Sequence, residues 1–224
     1  MNELLVTGIT KSFGAKKVLN NVSLNLRTGD IIGVFGRNGS GKSTMLKIMF
    51  GTIKTDATTM IFNGKPLRVN DVIPNRVIGY LSQDPFLPNS LKVRDVIPMY
   101  YKESAMQDKI FYAPGIAKIA NTRIGKLSMG ELRYLELLLV GNLNHPFLML
   151  DEPFSMVEPL YKERIKEFLL NLKVTKGIIV TDHYYKDVLS ISTSNVMVKE
   201  STITPVYDEA DLINAGYLPD SVLT

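Results

Sequence analysis

The stretch Gly36-Arg37-Asn38-Gly39-Ser40-Gly41-Lys42-Ser43-Thr44 has the pattern Gly-x4-Gly-Lys-Ser/Thr of a loop that wraps a polyphosphate. Such a loop must aim several backbone N–H groups at the ligand, and glycines permit the φ angles and the close approach this needs. A helix beginning near Lys42 adds its positive dipole end, Lys42 can reach the terminal phosphates, and the Ser43 hydroxyl can ligate the magnesium that accompanies ATP. The chemistry named is the binding of a nucleoside triphosphate.

A second group supplies what hydrolysis requires. In Phe147-Leu148-Met149-Leu150-Asp151-Glu152-Pro153, apolar residues run into a pair of carboxylates, which places the acids at the exit of a buried strand. Asp151 is the candidate for holding magnesium, and Glu152 for polarising the water that attacks the γ-phosphate. By itself such a pair is a common strand-end feature. Downstream of a phosphate loop it points to a nucleoside triphosphatase.

These residues need elements to position them. Ile31-Ile32-Gly33-Val34-Phe35 is an apolar run of strand length before the loop, and Thr44-Met45-Leu46-Lys47-Ile48-Met49-Phe50 predicts the helix after it. Upstream, residues 3–8 and 22–26 predict strands joined by a polar stretch from Lys11 to Lys17. Met60-Ile61-Phe62-Asn63-Gly64-Lys65 carries the Asn-Gly signal of a hairpin, and Arg76–Leu81 predicts a strand that delivers Gln83 at its exit. From Ser90 to about Asn121 the alternation stops. Ser90 predicts a capped helix start that Pro98 soon disturbs. Helices are expected over Glu131–Leu143 and Pro159–Lys173, the second with Ile165, Phe168, Leu169 and Leu172 on one face, and a buried strand over Gly177–Thr181. Beyond Ser201 no pattern is legible. Strands alternating with helices imply an α/β fold with a mainly parallel sheet, at whose carboxyl ends ligands gather.

Composition sets bounds around this reading. A chain of 224 residues with 45% hydrophobic and 21% charged residues can bury a substantial core, and one domain over residues 1–224 is expected. No apolar run reaches the roughly 18 to 20 residues of a membrane span. The first residues lack the basic and long apolar regions of a secretory signal, and there is no cysteine, so a cytoplasmic location is expected. The net charge of +4 comes without a long Lys/Arg block, so nucleic acid is not the expected partner.

Taken together, the motifs resemble the nucleotide-binding subunits of ATP-binding cassette (ABC) transporters over nearly the whole chain. Besides the phosphate loop and the acidic strand end, Leu127-Ser128-Met129-Gly130-Glu131 is similar to the family signature Leu-Ser-Gly-Gly-Gln/Glu. Gln83 is placed like the family's Q-loop glutamine, His183 like its switch histidine, Phe13 like the aromatic that stacks on adenine, and Ser155-Met156-Val157-Glu158 like the D-loop. The resemblance implies an ABC-type phosphate-loop fold with a small antiparallel β subdomain and a short helical subdomain over about residues 88–143. It implies ATP and magnesium as ligands, with Gln83 joining Ser43 and Asp151 at the metal, and His183 keeping Glu152 and the water in line. It also implies that Ser128, Gly130 and Glu131 face the γ-phosphate held by a second cassette, and that transmembrane permease subunits dock at the cytoplasmic face of the membrane. A homodimer is favoured and a heterodimer remains open. Three positions depart from the pattern: Met129 replaces a glycine, Leu132 stands where a polar or basic residue is usual, and Glu158 replaces an aspartate. Methionine at 129 would resist a glycine-type φ and add bulk, which predicts less favourable closure of the dimer. Two other readings stand beside this one: a non-catalytic ATP-dependent clamp, and a soluble ABC ATPase acting on nucleic acid.

Overall fold

Residues 1–219 are described by a computed structural model. The chain opens with a long antiparallel hairpin, β1 (Glu3–Phe13) and β2 (Lys16–Arg27), and then enters β3 (Ile31–Phe35), the phosphate loop and α1 (Lys42–Phe50). A second hairpin, β4 (Ala57–Phe62) and β5 (Lys65–Leu67), pairs with β1 to give the four-stranded order β2-β1-β4-β5. Its turn, Asn63-Gly64, has φ of 50° and 75°, the backbone that makes Asn-Gly a tight hairpin signal. The expected polar connection from Lys11 to Lys17 is instead mostly strand, with Gly14-Ala15 alone forming the turn. The register shifts of β1 against β2 break the alternation that would have revealed the full length.

The larger sheet takes in β6 (Ile78–Leu81), β7 (Phe147–Asp151), β8 (Gly177–Thr181), β9 (Ser194–Lys199) and β10 (Thr202–Val206), in the order β10-β9-β3-β8-β7-β6. All its pairs are parallel except β10 with β9. The region after Ser201, illegible in sequence, therefore holds an edge strand, and α8 (Glu209–Asn214) follows it. Between β6 and β7 lie α2 (Val93–Tyr100), α3 (Ser104–Phe111), α4 (Ile116–Ile119) and the longer α5 (Met129–Gly141). Ser90 does not cap α2: the helix starts at Val93, and the N–H groups of Val93 and Arg94 are met by the carbonyls of Thr122 and Ala120. A tertiary partner has taken the place of the local cap. The strand-to-strand crossovers are completed by α6 (Pro159–Leu172) and α7 (Tyr185–Leu189).

The parallel strands divide their side chains between two cores. Ile32, Val34, Phe147, Met149 and Ile179 face α1 and the inner side of the antiparallel sheet, where Met45, Leu46, Ile48 and Met49 meet Leu4, Val6 and Leu26. Ile31, Phe35, Leu148, Leu150, Ile178 and Val180 face the opposite core, packed with α5 and α6. Burial on both faces is why these strands read as continuous apolar runs. Phe147 and Phe62 meet edge to face, 6.0 Å between centroids, and join the two sheets. Phe147→Ala should therefore cost about 3 to 5 kcal/mol in urea unfolding. A loss under about 1 kcal/mol would mean that the joint between the sheets is loosely packed.

Candidate active site

The loop Gly36–Gly41 leaves β3 and turns into α1 at the carboxyl end of the parallel strands. Gly41 caps α1 with φ of 112°, and a Cβ there would lie 3.0 Å from the Val18 side chain, so both backbone and space require glycine. The loop opens on a cavity of about 530 Å³ lined by Asn38 through Thr44 together with Phe13, Lys16, Gln83 and Glu152. That size suits a nucleotide. Phe13 is half exposed at the end of β1, with the Lys11 ammonium 5.0 Å from its ring centre, so it is an open aromatic face and not a core residue.

Lys42 is buried and its Nζ donates to the carbonyls of Gly36 at 2.6 Å and Arg37 at 3.4 Å. Burial pushes its ammonium below its ordinary pKa, against the opposing pull of Glu152, Asp151 and Asp182. Asp151, buried at the end of β7, accepts from Ser43 Oγ at 3.0 Å and Thr181 Oγ1 at 2.8 Å on one oxygen, and from Tyr80 Oη at 3.0 Å on the other. Ser43 and Asp151 thus present hard oxygen donors side by side, the chemistry magnesium prefers when phosphates complete its shell.

Glu152 is held from three sides: Gln83 Nε2 at 3.0 Å and Ser155 Oγ at 3.2 Å on one oxygen, and His183 Nε2 at 3.0 Å on the other. Sequence positions 83, 152 and 183 converge on one carboxylate. Gln83 shares the cavity with Ser43 but turns its amide nitrogen to Glu152. Asp182, beside His183, is buried and its carboxyl is pushed up by burial, against backbone N–H donors from Phe154 and Tyr184.

Other predicted positions fall elsewhere. Gly36 and Arg37 do not line the cavity, and Arg37 reaches away to donate to the Gly216 carbonyl at 2.6 Å. Ser128, Gly130 and Glu131 form the start of α5 and also lie outside the cavity lining. Ser128 and Glu131 make a reciprocal cap: the Glu131 N–H donates to Ser128 Oγ at 3.2 Å, and the Ser128 N–H to Glu131 Oε2 at 2.8 Å. The Glu131 carboxylate is thereby committed to shaping the helix end, leaving the N–H groups of Met129 and Gly130 free of intrahelical partners. Met129 has an ordinary helical backbone, so the expected φ conflict does not arise there and its bulk alone remains. The tight position is Gly130, where a Cβ would come within 2.0 Å of Glu158 Oε2 and 2.8 Å of the Tyr161 ring.

The ABC transporter family profile matches residues 19–155, more than half of the chain. The chain belongs to the ABC transporter family. Lipopolysaccharide export system ATP-binding protein LptB of Haemophilus influenzae is 28% identical over 208 residues, covering 85% of this chain and 84% of that protein. LptB of Escherichia coli strain K12 is 27% identical over 212 residues, 89% and 88% of the two chains. Among solved structures, a nucleotide-free ATP-binding cassette from an ABC transporter superposes with a TM-score of 0.82 at 23% identity, over 99% of this chain and 98% of that one. The ATP-binding subunit of another ABC transporter gives 0.81 at 19%, over 98% and 95%. As an ABC ATP-binding subunit the chain is an ATPase, and its fold is that of the family's cassettes.

Within this cassette, sequence reasoning missed Tyr80, Thr181 and Arg133. The first two are ordinary strand residues whose hydroxyls meet Asp151 only when β6, β7 and β8 are side by side. Arg133 did leave a signal, since it and Glu136 are charges inside an otherwise apolar helix segment. Phe13 offers the clearest single test of nucleotide recognition. Phe13→Ala should weaken ATP binding by about 1 to 3 kcal/mol in fluorescence titration, while Phe13→Tyr stays near wild type. A loss of affinity no larger than the loss of ligand-free thermal stability would make Phe13 a packing residue.

Proposed function

We propose that this ATP-binding subunit powers a transporter by closing on a second cassette around ATP, and by reopening after hydrolysis, so that the motion drives separate transmembrane subunits. The observation that carries the reading is that Ser128 and Gly130, at a helix N-terminus suited to an anion, lie outside the lining of the chain's own nucleotide cavity. A second copy bound head to tail would bring its γ-phosphate to that seat. We favour a homodimer.

In this reading Lys42 exchanges the Gly36 and Arg37 carbonyls for the terminal phosphates, and the loop N–H groups and the dipole of α1 hold the rest. Ser43, Asp151 and Gln83 would hold magnesium, which neutralises phosphate charge when bound. Glu152 accepts the proton of the attacking water, and Gln83, Ser155 and His183 fix the carboxylate so that little reorganisation is needed at that moment.

An apolar groove of about 310 Å³ flanks the Gln83 loop, lined by Phe50, Ile73, Tyr80, Phe86, Tyr100 and Leu143, and suits a segment of the membrane partner. The relatives' named export role supports placing the chain peripherally, on permease subunits at the cytoplasmic face; no described helix is long and apolar enough to cross a membrane. The relatives named for lipopolysaccharide export support a transport role, whereas cargo selection is assigned to the membrane chains. The complete hydrolytic set around Glu152 argues against a non-catalytic clamp.

Glu152→Gln should abolish turnover yet retain ATP binding, so that an ATP-dependent dimer accumulates on size-exclusion chromatography with magnesium present. Hydrolysis at the wild-type rate would remove Glu152 from the proposed role. Gly130→Ala places a methyl group against Glu158 and Tyr161 at the seat, and should lower that ATP-dependent dimer fraction while leaving the affinity of the monomer for ATP intact. An undiminished dimer would mean that the start of α5 is not where the second nucleotide docks.

A further inference from the structure

Arg133 projects from α5 into the protein between the Gln83 loop and the exit of β7, and it is only 4% exposed. Its Nη1 donates to the Ser82 carbonyl at 2.6 Å, and its Nη2 to the carbonyls of Asp151 and, at 3.2 Å, Glu152. One turn further along, the fully buried Glu136 lies 3.5 Å from the same guanidinium and accepts the Phe86 N–H at 2.8 Å. This ion pair therefore pins the chain on both sides of Gln83-Asp84-Pro85, at Ser82 and at Phe86. The same guanidinium also grips the peptide of the carboxylate that Gln83 touches.

The backbone at Glu152 gives this grip a purpose. Glu152 has φ of 54°, a left-handed conformation that a non-glycine residue keeps only when its surroundings impose it, at a cost of about 1 to 3 kcal/mol. The Glu152 N–H donates to the Thr181 carbonyl at 2.8 Å, and the Glu152 carbonyl accepts from Arg133 at 3.2 Å and from the Ser155 N–H at 3.5 Å. Without Arg133 only the long Ser155 contact holds that carbonyl, which loosens the peptide that sets the carboxylate against Gln83 and His183.

We propose that Arg133, braced by Glu136, is a positioning residue for hydrolysis: it sets the Glu152 carboxylate against Gln83 by fixing the backbone of both. The inference rests on Glu152 being the base. It differs from a packing role because it separates chemistry from binding, since neither Arg133 nor Glu136 lines the nucleotide cavity.

The test measures steady-state ATP hydrolysis, titration with a fluorescent ATP analogue and thermal unfolding for Arg133→Met, Arg133→Lys and Glu136→Gln. Arg133→Met should lower kcat by about tenfold or more, with KM and analogue affinity within about twofold of wild type, because a misplaced base slows the step without touching the phosphate loop. Arg133→Lys should recover thermal stability but not kcat, since one ammonium cannot bridge the Ser82 carbonyl and the Asp151 and Glu152 carbonyls as the guanidinium fork does. In a Gln83→Ala background, the Arg133 substitutions should add little further loss, as expected when both act through one contact. Full recovery of kcat by lysine, or parallel changes in kcat, KM and melting temperature, would overturn the inference. If Arg133→Met does not fold, Glu136→Gln decides: it keeps an acceptor for Phe86 but loses the charge that braces Arg133, and unchanged kcat would overturn the proposal. Should Glu152→Gln still hydrolyse ATP, the reading of Glu152 as base fails. Should it be inactive while the Arg133 variants turn over normally, only the positioning role fails.

Discussion

The Asp151 carboxylate is the point on which the catalytic half of the molecule depends. It is almost fully buried, and a buried charge is tolerated only when paired or well hydrogen-bonded. Its three hydroxyl partners come from the start of α1, the end of β6 and the end of β8, so satisfying this one group brings four segments of chain to a common place. The phosphate loop is thereby tied to the acidic strand end before any nucleotide arrives. A parallel sheet makes this possible because it delivers every strand exit to the same edge.

Around that anchor the charges are arranged to be redirected. Lys42 lies against the carbonyls of its own loop, while burial disfavours its charge and three nearby carboxylates favour it. A polyphosphate is a stronger acceptor than two peptide carbonyls, so in the proposed reading it would redirect an ammonium that is already desolvated. Glu152, by contrast, is held at both oxygens by side chains from distant parts of the sequence and sits on strained backbone. The ammonium is thus held by its own loop, and the Glu152 carboxylate by side chains from other segments.

The end of the chain takes part in this frame. Tyr217 packs on Phe35 at 5.9 Å between ring centroids, with its hydroxyl 3.5 Å from the Asp182 carbonyl, and Gly216 receives the Arg37 guanidinium. Burial, with Asp182 and Glu152 nearby, pushes the Tyr217 phenol up to about 12, so it stays neutral beside the acids. The segment from α8 to Tyr217 thus packs behind the phosphate loop, and its Gly216 carbonyl draws the Arg37 side chain out of the nucleotide cavity.

The sequence alone determined the nucleotide chemistry, because a loop that cradles phosphate is local: Gly36 through Thr44 need only their own backbone freedom and the helix that follows. It determined the buried strands as well, since Phe147–Asp151 and Gly177–Thr181 are covered on both faces and must be apolar throughout. What depends on neighbours far along the chain could not be read. The start of α2 is capped by carbonyls 26 to 29 positions away, so no local residue announces it. At Met129 the glycine pattern suggested special backbone where the helix is ordinary, whereas the demand for glycine at Gly130 comes from Glu158 and Tyr161, residues of another helix end. The β10 edge strand is hard to read because it is mostly exposed and carries Pro205, which only an edge position tolerates. Tyr80, Thr181 and Arg133 acquire their partners from strand order and helix placement. Hydrogen bonds between residues 18 to 71 positions apart are properties of the folded arrangement, and only the tertiary structure decided them.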